Sequence, residues 1–397
     1  MSSTENAGLA QLYTEKLASQ AEYIDSQAMQ ILKRLKDARF EAYLVGGGVR
    51  DLLVSLKPKD FDIATNALPN EVKKKVPHCF IIGRRFKLVH AKRGDSIYEI
   101  ATFRRAATSE ELETTDQDER HLVEENFFGN IEEDSFRRDF TINSLYYDPI
   151  DKKIVDHCGG LQDIHRCVLR MIGSPQERLI EDPIRILRAI RLSQKLMFSI
   201  EPELRFQISK LTSELKRSPI PRRREEWVKF FRLHQPDLAL MELFDLNIFE
   251  VILPNFHQIF LNDDKREFFL EKIRSLDYYG FDFSNTTELF AGVLAAYIQT
   301  AYPENIKIDD LAENEEFLLF CRDQLGVFKA EAGLFFQAMN LINPLKNISS
   351  YLKKGERRQR SLINHQNFNL ALKLALLTQQ LPVSDVAFWL NERERFK

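Results

Sequence analysis

No stretch of this chain approaches the roughly 20 consecutive apolar residues that a membrane-spanning helix needs. The opening MSSTENAGLAQLYTEKLASQ is polar where a secretory leader would be apolar, so the expectation is a soluble, cytoplasmic protein. Cysteine is scarce: Cys79, Cys158, Cys167 and Cys321 show no CxxC spacing, which argues against a zinc site and against a disulfide framework. The eight histidines have no metal-ligand spacing and form no His-Asp dipeptide of the kind phosphohydrolase domains use. No nucleophilic triad emerges. A positive charge excess is missing too, because 56 Lys and Arg stand against 59 Asp and Glu, for a net charge of -3. Nucleic-acid binding therefore has to be sought in local charge rather than in the total.

With 44% of its 397 residues hydrophobic, the chain can bury a sizeable core, and its length suits two to four domains. Tyr23, Ile24, Met29, Ile31, Leu32 and Leu35 recur near helical spacing and predict an amphipathic helix within residues 20–40. A strand over residues 42–45 follows, then a turn of three glycines at Gly46, Gly47 and Gly48, then a helix from VRDLLVSL. Short apolar runs around Phe61 and over 80–82, 88–91 and 97–103 predict four more strands, and a small mixed sheet flanked by helices is the economical fold. Residues 109–134 are acidic and polar and read as a mobile surface loop. From Ile180 onward, long helical patterns with few glycines make the back half mostly α. Basic residues gather at 178–195, in PRRREEWVKFFR at 221–232 and in KKGERRQR at 353–360. A solvated helix face is the plainer explanation of any single run. In the second run Trp227, Phe230 and Phe231 sit at helical spacing and read as core, which leaves the arginines for RNA phosphates.

The pairing that carries chemistry is YLVGGGVRDLL followed within a few residues by KPKDFDIATN. Glycines at a helix start let backbone N–H groups approach a phosphate, although a tight turn with positive φ accounts for the same residues. Phe61 and Ile63 alternate with Asp60 and Asp62, so a strand turns both carboxylates to one face. In SIYEIATFR, Glu99 shares a face with Ile97 and Ala101 inside an apolar strand, where an unpaired charge is costly unless a cation or donor meets it. Three acids from two strands can hold two magnesium ions, which would lower the pKa of an attacking hydroxyl and neutralise a leaving pyrophosphate. RRDFTINSLYY offers Arg138, Asp139 and Asn143. They suit either an arginine that grips triphosphate oxygens or a capped helix with Asp139 at its N-cap and Asn143 facing solvent. In LIEDPIRILRAIRL, Asp182 before Pro183 suits an N-cap. Glu181, Arg185 and Arg188 lie opposite Ile184, Leu187 and Ile190, a face able to read a base edge with Asp182 and Arg185 as acceptor and donor.

Taken in order, GGGVRD, KDFDIAT, YEIATFR, RRDFTINSLYYD, DHCGGLQD and EDPIRILRAIR resemble the class II nucleotidyltransferases, the family of bacterial poly(A) polymerases and CCA-adding tRNA nucleotidyltransferases. The resemblance is close over residues 43–195 and looser over 219–371. It implies an α+β fold, a DNA polymerase β-like head with a small mixed sheet followed by an all-α neck, body and tail. The implied divisions are an N-terminal extension at 1–25, the head at 26–155, the neck at 156–218, and the body with an arginine-containing tail at 219–397. It further implies that Asp60, Asp62 and Glu99 are catalytic and hold two Mg2+ ions. Gly47, Gly48, Arg50, Arg138, Asp139, Asn143, Asp182, Arg185 and Arg188 would bind the nucleotide, with Glu181 in the base-reading motif. Arg84, Arg85, Arg222, Arg223, Arg357, Arg358 and Arg360 would contact RNA.

IIGRRFKLVHA at 81–91 resembles the poly(A) polymerase branch, as do ENFFGNIEEDSFRRDFTINSLYYD and, in part, ERRQRSLINHQNFNLALKLALL. The activity so implied is template-independent transfer of AMP from ATP to RNA 3' ends with release of pyrophosphate. ATP and an RNA 3' end are the expected partners, the membrane is not, and a monomer is expected. CCA addition to tRNA is the alternative within the family, and a catalytically inactive RNA-binding or regulatory protein is the alternative outside it. Ile164 stands where the family prefers Leu, and the sequence closes on NERERFK rather than on the family's usual strongly basic tail. The tail bears on affinity and processivity on long RNA, not on the chemistry.

Overall fold

The short apolar runs of the first half become β1 (Ala42–Val45), β2 (Asp62–Thr65), β3 (Cys79–Ile82), β4 (Leu88–Arg93) and β5 (Ser96–Thr102). These come from a computed structural model that describes residues 3–83, 88–105 and 127–396. Two further strands, β6 (Leu145–Asp148) and β7 (Lys153–Asp156), complete a seven-stranded sheet in the order β3-β4-β5-β2-β1-β6-β7. The sequence did not predict β6 because every residue of it is buried, which leaves no alternation to read. β2 and β5 run parallel, with Ile63 opposite Ile100, and the other neighbouring pairs run antiparallel.

Register fixes the faces. Val45 lies opposite Asp62 and also opposite Tyr146, and Tyr146 lies opposite Val155, so these four side chains share one face. On it Val45, Ala64, Phe103 and Tyr146 form a core cluster against which Tyr43, Ile131 and Val155 pack. The Tyr146 ring meets Tyr43 and Phe103 edge-on, at 6.2 and 6.1 Å between centroids. A fully buried ring or aliphatic side chain of this kind contributes roughly 1.5–3 kcal/mol. On the opposite face Leu44, Ile63 and Ile100 are buried, and helices Ser26–Asp37 and Pro69–Lys75 pack on that side of the sheet.

Helix Ile131–Arg137 begins inside the stretch expected to be a loop. Its start is a reciprocal cap, in which the Glu133 N–H donates to Oδ1 of Asn130 and the Asn130 N–H donates to Oε2 of Glu133, both at 2.9 Å. The loop expectation for residues 109–126 lies outside the described residues. Helix Ser3–Ser19 packs on β7 and on helix Gly160–Arg166, burying Tyr13 and Leu17.

Two compact units divide the chain: Met1–Arg178 with Leu196–Gln207, and Leu179–Lys195 with Ile208–Lys397. The second is helical. Its helices Thr286–Ala301, Lys329–Leu345 and Phe368–Leu377 pack on one another, and Phe249, Phe256, Phe260 and Phe269 meet edge-on in its interior. Trp227, Phe230 and Phe231 are buried, as their spacing predicts. Among the described residues no helix is long and apolar enough to cross a membrane.

Candidate active site

Gly46 closes β1 with φ +75, a conformation that favours glycine, and its carbonyl accepts the Arg50 N–H as helix Gly47–Leu53 begins. Gly48 has a different reason to be glycine. A Cβ there would stand 2.8 Å from the main-chain oxygen of Asp60 and 3.0 Å from the Phe61 ring, so the helix lies directly on the entry to β2. The glycine turn and the DFD motif are thus one packed object.

One step before the Ile63–Ile100 pair, the parallel register sets Asp62 beside Glu99 on the same face. Asp60 precedes β2 by two residues and is exposed. Desolvation, then the charges of Glu99 and Asp60, push Asp62 up to about 6, and Arg138 opposes them. Asp62 is nevertheless exposed at the start of β2, so both the desolvation and the mutual repulsion are partly screened. Glu99 is not the costly buried charge expected from the sequence: its side chain is 52% exposed. Tyr98 and Ile100 point inward, whereas Ile97 and Glu99 line the open face of β5. Across on β4, Nε2 of His90 is 3.6 Å from Oε1 of Glu99.

Among the described residues no three His, Cys, Asp or Glu side chains draw close enough to form a ready metal-binding group. The donor chemistry of Asp60, Asp62 and Glu99 still suits a hard cation, since like-charged carboxylates crowd Asp62. The bare Gly46 adds room: a Cβ there would lie 3.6 Å from Nη1 of Arg138 and 3.7 Å from Oδ2 of Asp62. Carboxylates of this kind suit magnesium.

Arg138 follows helix Ile131–Arg137 and is held from several sides. Its Nε donates to the Tyr146 hydroxyl at 3.0 Å and its Nη2 to Oδ2 of Asp134 at 3.1 Å. The Tyr146 hydroxyl in turn donates to the same Asp134 oxygen at 2.6 Å, while Oδ1 of Asp134 accepts the Arg104 N–H at 3.1 Å. Arg178 donates to the carbonyls of Arg137 and Arg138 at 2.7 and 3.0 Å. Burial alone would lower the Arg138 pKa, but Tyr146 and Asp134 more than offset it and keep the guanidinium charged. Burial likewise raises the Tyr146 phenol, so it stays protonated.

Arg50, Asn143 and Asp139 come together as a chain of hydrogen bonds. Buried Arg50 donates through Nε and Nη2 to Oδ1 of Asp51 at 3.0 and 2.6 Å, and through Nη1 to Oδ1 of Asn143 at 2.6 Å. Nδ2 of Asn143 donates to Oδ1 of Asp139 at 3.0 Å. The capped-helix alternative for this motif is overturned: Thr141–Asn143 is a single 3-10 turn started by Phe140, and Asn143 is buried. Arg50 of helix Gly47–Leu53 ties the Asn143 side chain into the interior, where a helix of this motif would turn it to solvent. Sequence reasoning also missed what DHCGGLQD does. Asp156 accepts the N–H groups of Cys158, Gly159, Gly160 and Leu161, and Asp163 accepts the Thr141 hydroxyl at 2.7 Å, bracing the RRDFTIN segment from behind.

The base-reading candidates belong to the second unit. Asp182 lies between helices Pro175–Glu181 and Ile184–Leu196, and its carboxylate receives both Nη1 and Nη2 of Arg222 at 2.8 Å. The Arg185 N–H meets the main-chain oxygen of Asp182 at 3.1 Å, and its Nη1 donates to Oε2 of Glu181 at 2.8 Å. Arg188 stands 3.8 Å from Glu226, which also binds Arg191 at 2.6 Å and Lys229 at 3.0 Å. Burial would raise the Glu226 carboxyl, yet Arg191, Lys229 and Arg188 together hold it below the usual range. Of the RNA-contact candidates, Arg222 is committed to Asp182, Arg223 is desolvated enough to lower its pKa, and Arg357, Arg358 and Arg360 are exposed. Arg84 and Arg85 lie outside the described residues.

Residues 42–170 match the family described as "Poly A polymerase head domain", and residues 197–260 match "Probable RNA and SrmB- binding site of polymerase A". The chain is 44% identical to Poly(A) polymerase I of Salmonella typhi over 240 residues, 60% of this chain and 52% of that protein. It is 40% identical to a CCA-adding enzyme of Lactobacillus helveticus over 203 residues, 51% of this chain and 49% of that protein. It therefore spans about half the length of the curated relatives it matches. Among solved structures, a Bacillus stearothermophilus CCA-adding enzyme in complex with CTP superposes with a TM-score of 0.62 at 22% identity, covering 93% of this chain and 81% of that one. At that identity the likeness is one of fold.

Proposed function

We propose that this chain is a member of the nucleotidyltransferase family whose poly A polymerase head domain it matches over residues 42–170, and that it is a template-independent polynucleotide adenylyltransferase. It joins AMP from ATP to RNA 3' ends and releases pyrophosphate, working in the cytoplasm as a monomer. The observation that carries the reading is the meeting of Asp62 and Glu99 on adjacent strands beside the Gly46 turn, with Arg138 facing them. Asp60, Asp62 and Glu99 would hold two Mg2+ ions, which supply an activated 3'-hydroxyl and charge neutralisation on the leaving pyrophosphate. The chain's own residues do the placing. Gly47 and Gly48 let the triphosphate approach the backbone, and Arg138 receives its charge. Arg50 fixes Asn143, which in turn holds Asp139. Asp182, braced by Arg222, selects the base with Arg185 and Arg188, and Arg84, Arg85, Arg223, Arg357, Arg358 and Arg360 follow the RNA backbone.

Adenine is favoured over CTP by the likeness of IIGRRFKLVHA to the poly(A) polymerase branch and by the 44% identity to a Poly(A) polymerase I. The test supplies each NTP with a generic oligoribonucleotide and with a tRNA lacking its terminus. Extension with ATP alone is expected, and a three-nucleotide product that requires CTP rejects the adenylyl reading. Asp60→Ala is expected to abolish AMP incorporation with unchanged circular dichroism, since Asp60 is exposed. Retained activity would reject Asp60 as a metal ligand.

A further inference from the structure

We infer that Tyr146 and Asp134 are positioning residues that aim Arg138 at the glycine turn, so that its Nη1 edge meets the anion bound there. The inference rests on the adenylyltransferase reading and extends it to two residues that touch no substrate. Arg138, Tyr146 and Asp134 close a ring: Nε to the Tyr146 hydroxyl, that hydroxyl to Oδ2 of Asp134, and Nη2 back to the same oxygen. The Tyr146 hydroxyl accepts from the arginine and donates to the carboxylate, so its proton has one direction to point. Each member is separately immobilised. Tyr146 is clamped between Tyr43 and Phe103, Asp134 is tied to the Arg104 N–H, and the Arg138 carbonyl is held by Arg178. The guanidinium thus has two of its nitrogens committed, and the third, Nη1, stands at the gap that a bare Gly46 leaves next to Asp62.

Stability alone does not account for this arrangement. A charged pair buried beside an aromatic cluster is about as stable as well-packed apolar side chains of the same volume, whereas a fixed guanidinium edge has value where an anion must be held in one orientation. Asp134 neutralises Arg138 on its inner side, which keeps the guanidinium from swinging out to pair with Asp62.

Tyr146→Phe keeps the ring and removes the hydroxyl. The expected result is a KM for ATP about tenfold higher with kcat within about twofold, because ground-state and transition-state grip are lost alike. In an Arg138→Ala background the same change is expected to alter kcat/KM by less than about twofold, since there is no longer a guanidinium to aim. Asp134→Asn, run through the same cycle, serves where Tyr146→Phe does not fold. An equal factor in both backgrounds means a structural role and overturns the inference while AMP transfer stands. Coupled factors in an enzyme that incorporates CTP uphold the positioning and reject the adenylyl reading, and a wild-type chain inert to every nucleotide overturns both.

Discussion

Asp62 is ionised against the preference of its own surroundings. Its pKa rises from 3.8 to about 6 on folding, so between those values the native state binds more protons than the unfolded chain. The destabilisation from its charge is therefore complete above pH 6 and fades as pH falls toward 4. Asp62→Asn should raise Tm at pH 8 in the absence of magnesium, lose that gain near pH 4, and abolish transfer. Magnesium should raise the Tm of the wild type more than that of the variant, because it binds the native state. An unchanged or lower Tm for Asp62→Asn at pH 8 would show that the carboxylates do not repel one another as described. At this scale the sequence was informative where a role is set by alternation along one strand. Asp62 and Glu99 fall on the predicted face, although Glu99 is exposed and the reason given for it does not hold. Tyr146 and Asp134 were illegible because their roles depend on Arg138, and a tyrosine and an acid in an apolar-acidic stretch look like core and solvent.

The glycine turn shows the same limit for whole elements. Three consecutive glycines announce a tight turn, but nothing local reveals that Gly48 is pressed against the Asp60 carbonyl. A backbone oxygen 2.8 Å from the new Cβ has no rotamer to escape into. Gly48→Ala should cost about 1–3 kcal/mol of stability in urea titrations and lower AMP incorporation at least tenfold by displacing Asp60. Gly333→Ala is the contrast, in helix Lys329–Leu345 with nothing within 4 Å of its Cβ, and it should be neutral or stabilise by about 0.5–1 kcal/mol. Equal losses for both would show that the Asp60 contact is not what constrains Gly48. Strand β6 went unread for the opposite reason: burial on both faces erased its pattern, and a motif with plausible cap residues then looked helical.

Across the whole molecule a net charge of -3 conceals an uneven assignment of arginines. Glu226 occupies Arg188, Arg191 and Lys229, Asp182 occupies Arg222, and Glu331 with the rings of Phe290 and Phe328 occupies Arg224. Lys353, Lys354, Arg357, Arg358 and Arg360 remain exposed on and before helix Glu356–Ile363. RNA affinity should then fall steeply with salt, and Arg357→Ala with Arg358→Ala should flatten the log–log slope by roughly 1.4 if each arginine neutralises one single-strand phosphate. Fluorescence anisotropy with a labelled oligoribonucleotide measures it. An unaltered slope would remove this helix from the RNA surface.

The parallel pairing of β2 with β5 has a consequence for how the head comes into being. Asp62 and Glu99 are neighbours in space only after the whole β3–β4 hairpin between them has been threaded to one side, a non-local closure of the kind that raises contact order and slows folding. A nascent head that has formed its hairpins and helices still has no place for the proposed reaction. Competence arrives with that one parallel seam and departs when it opens.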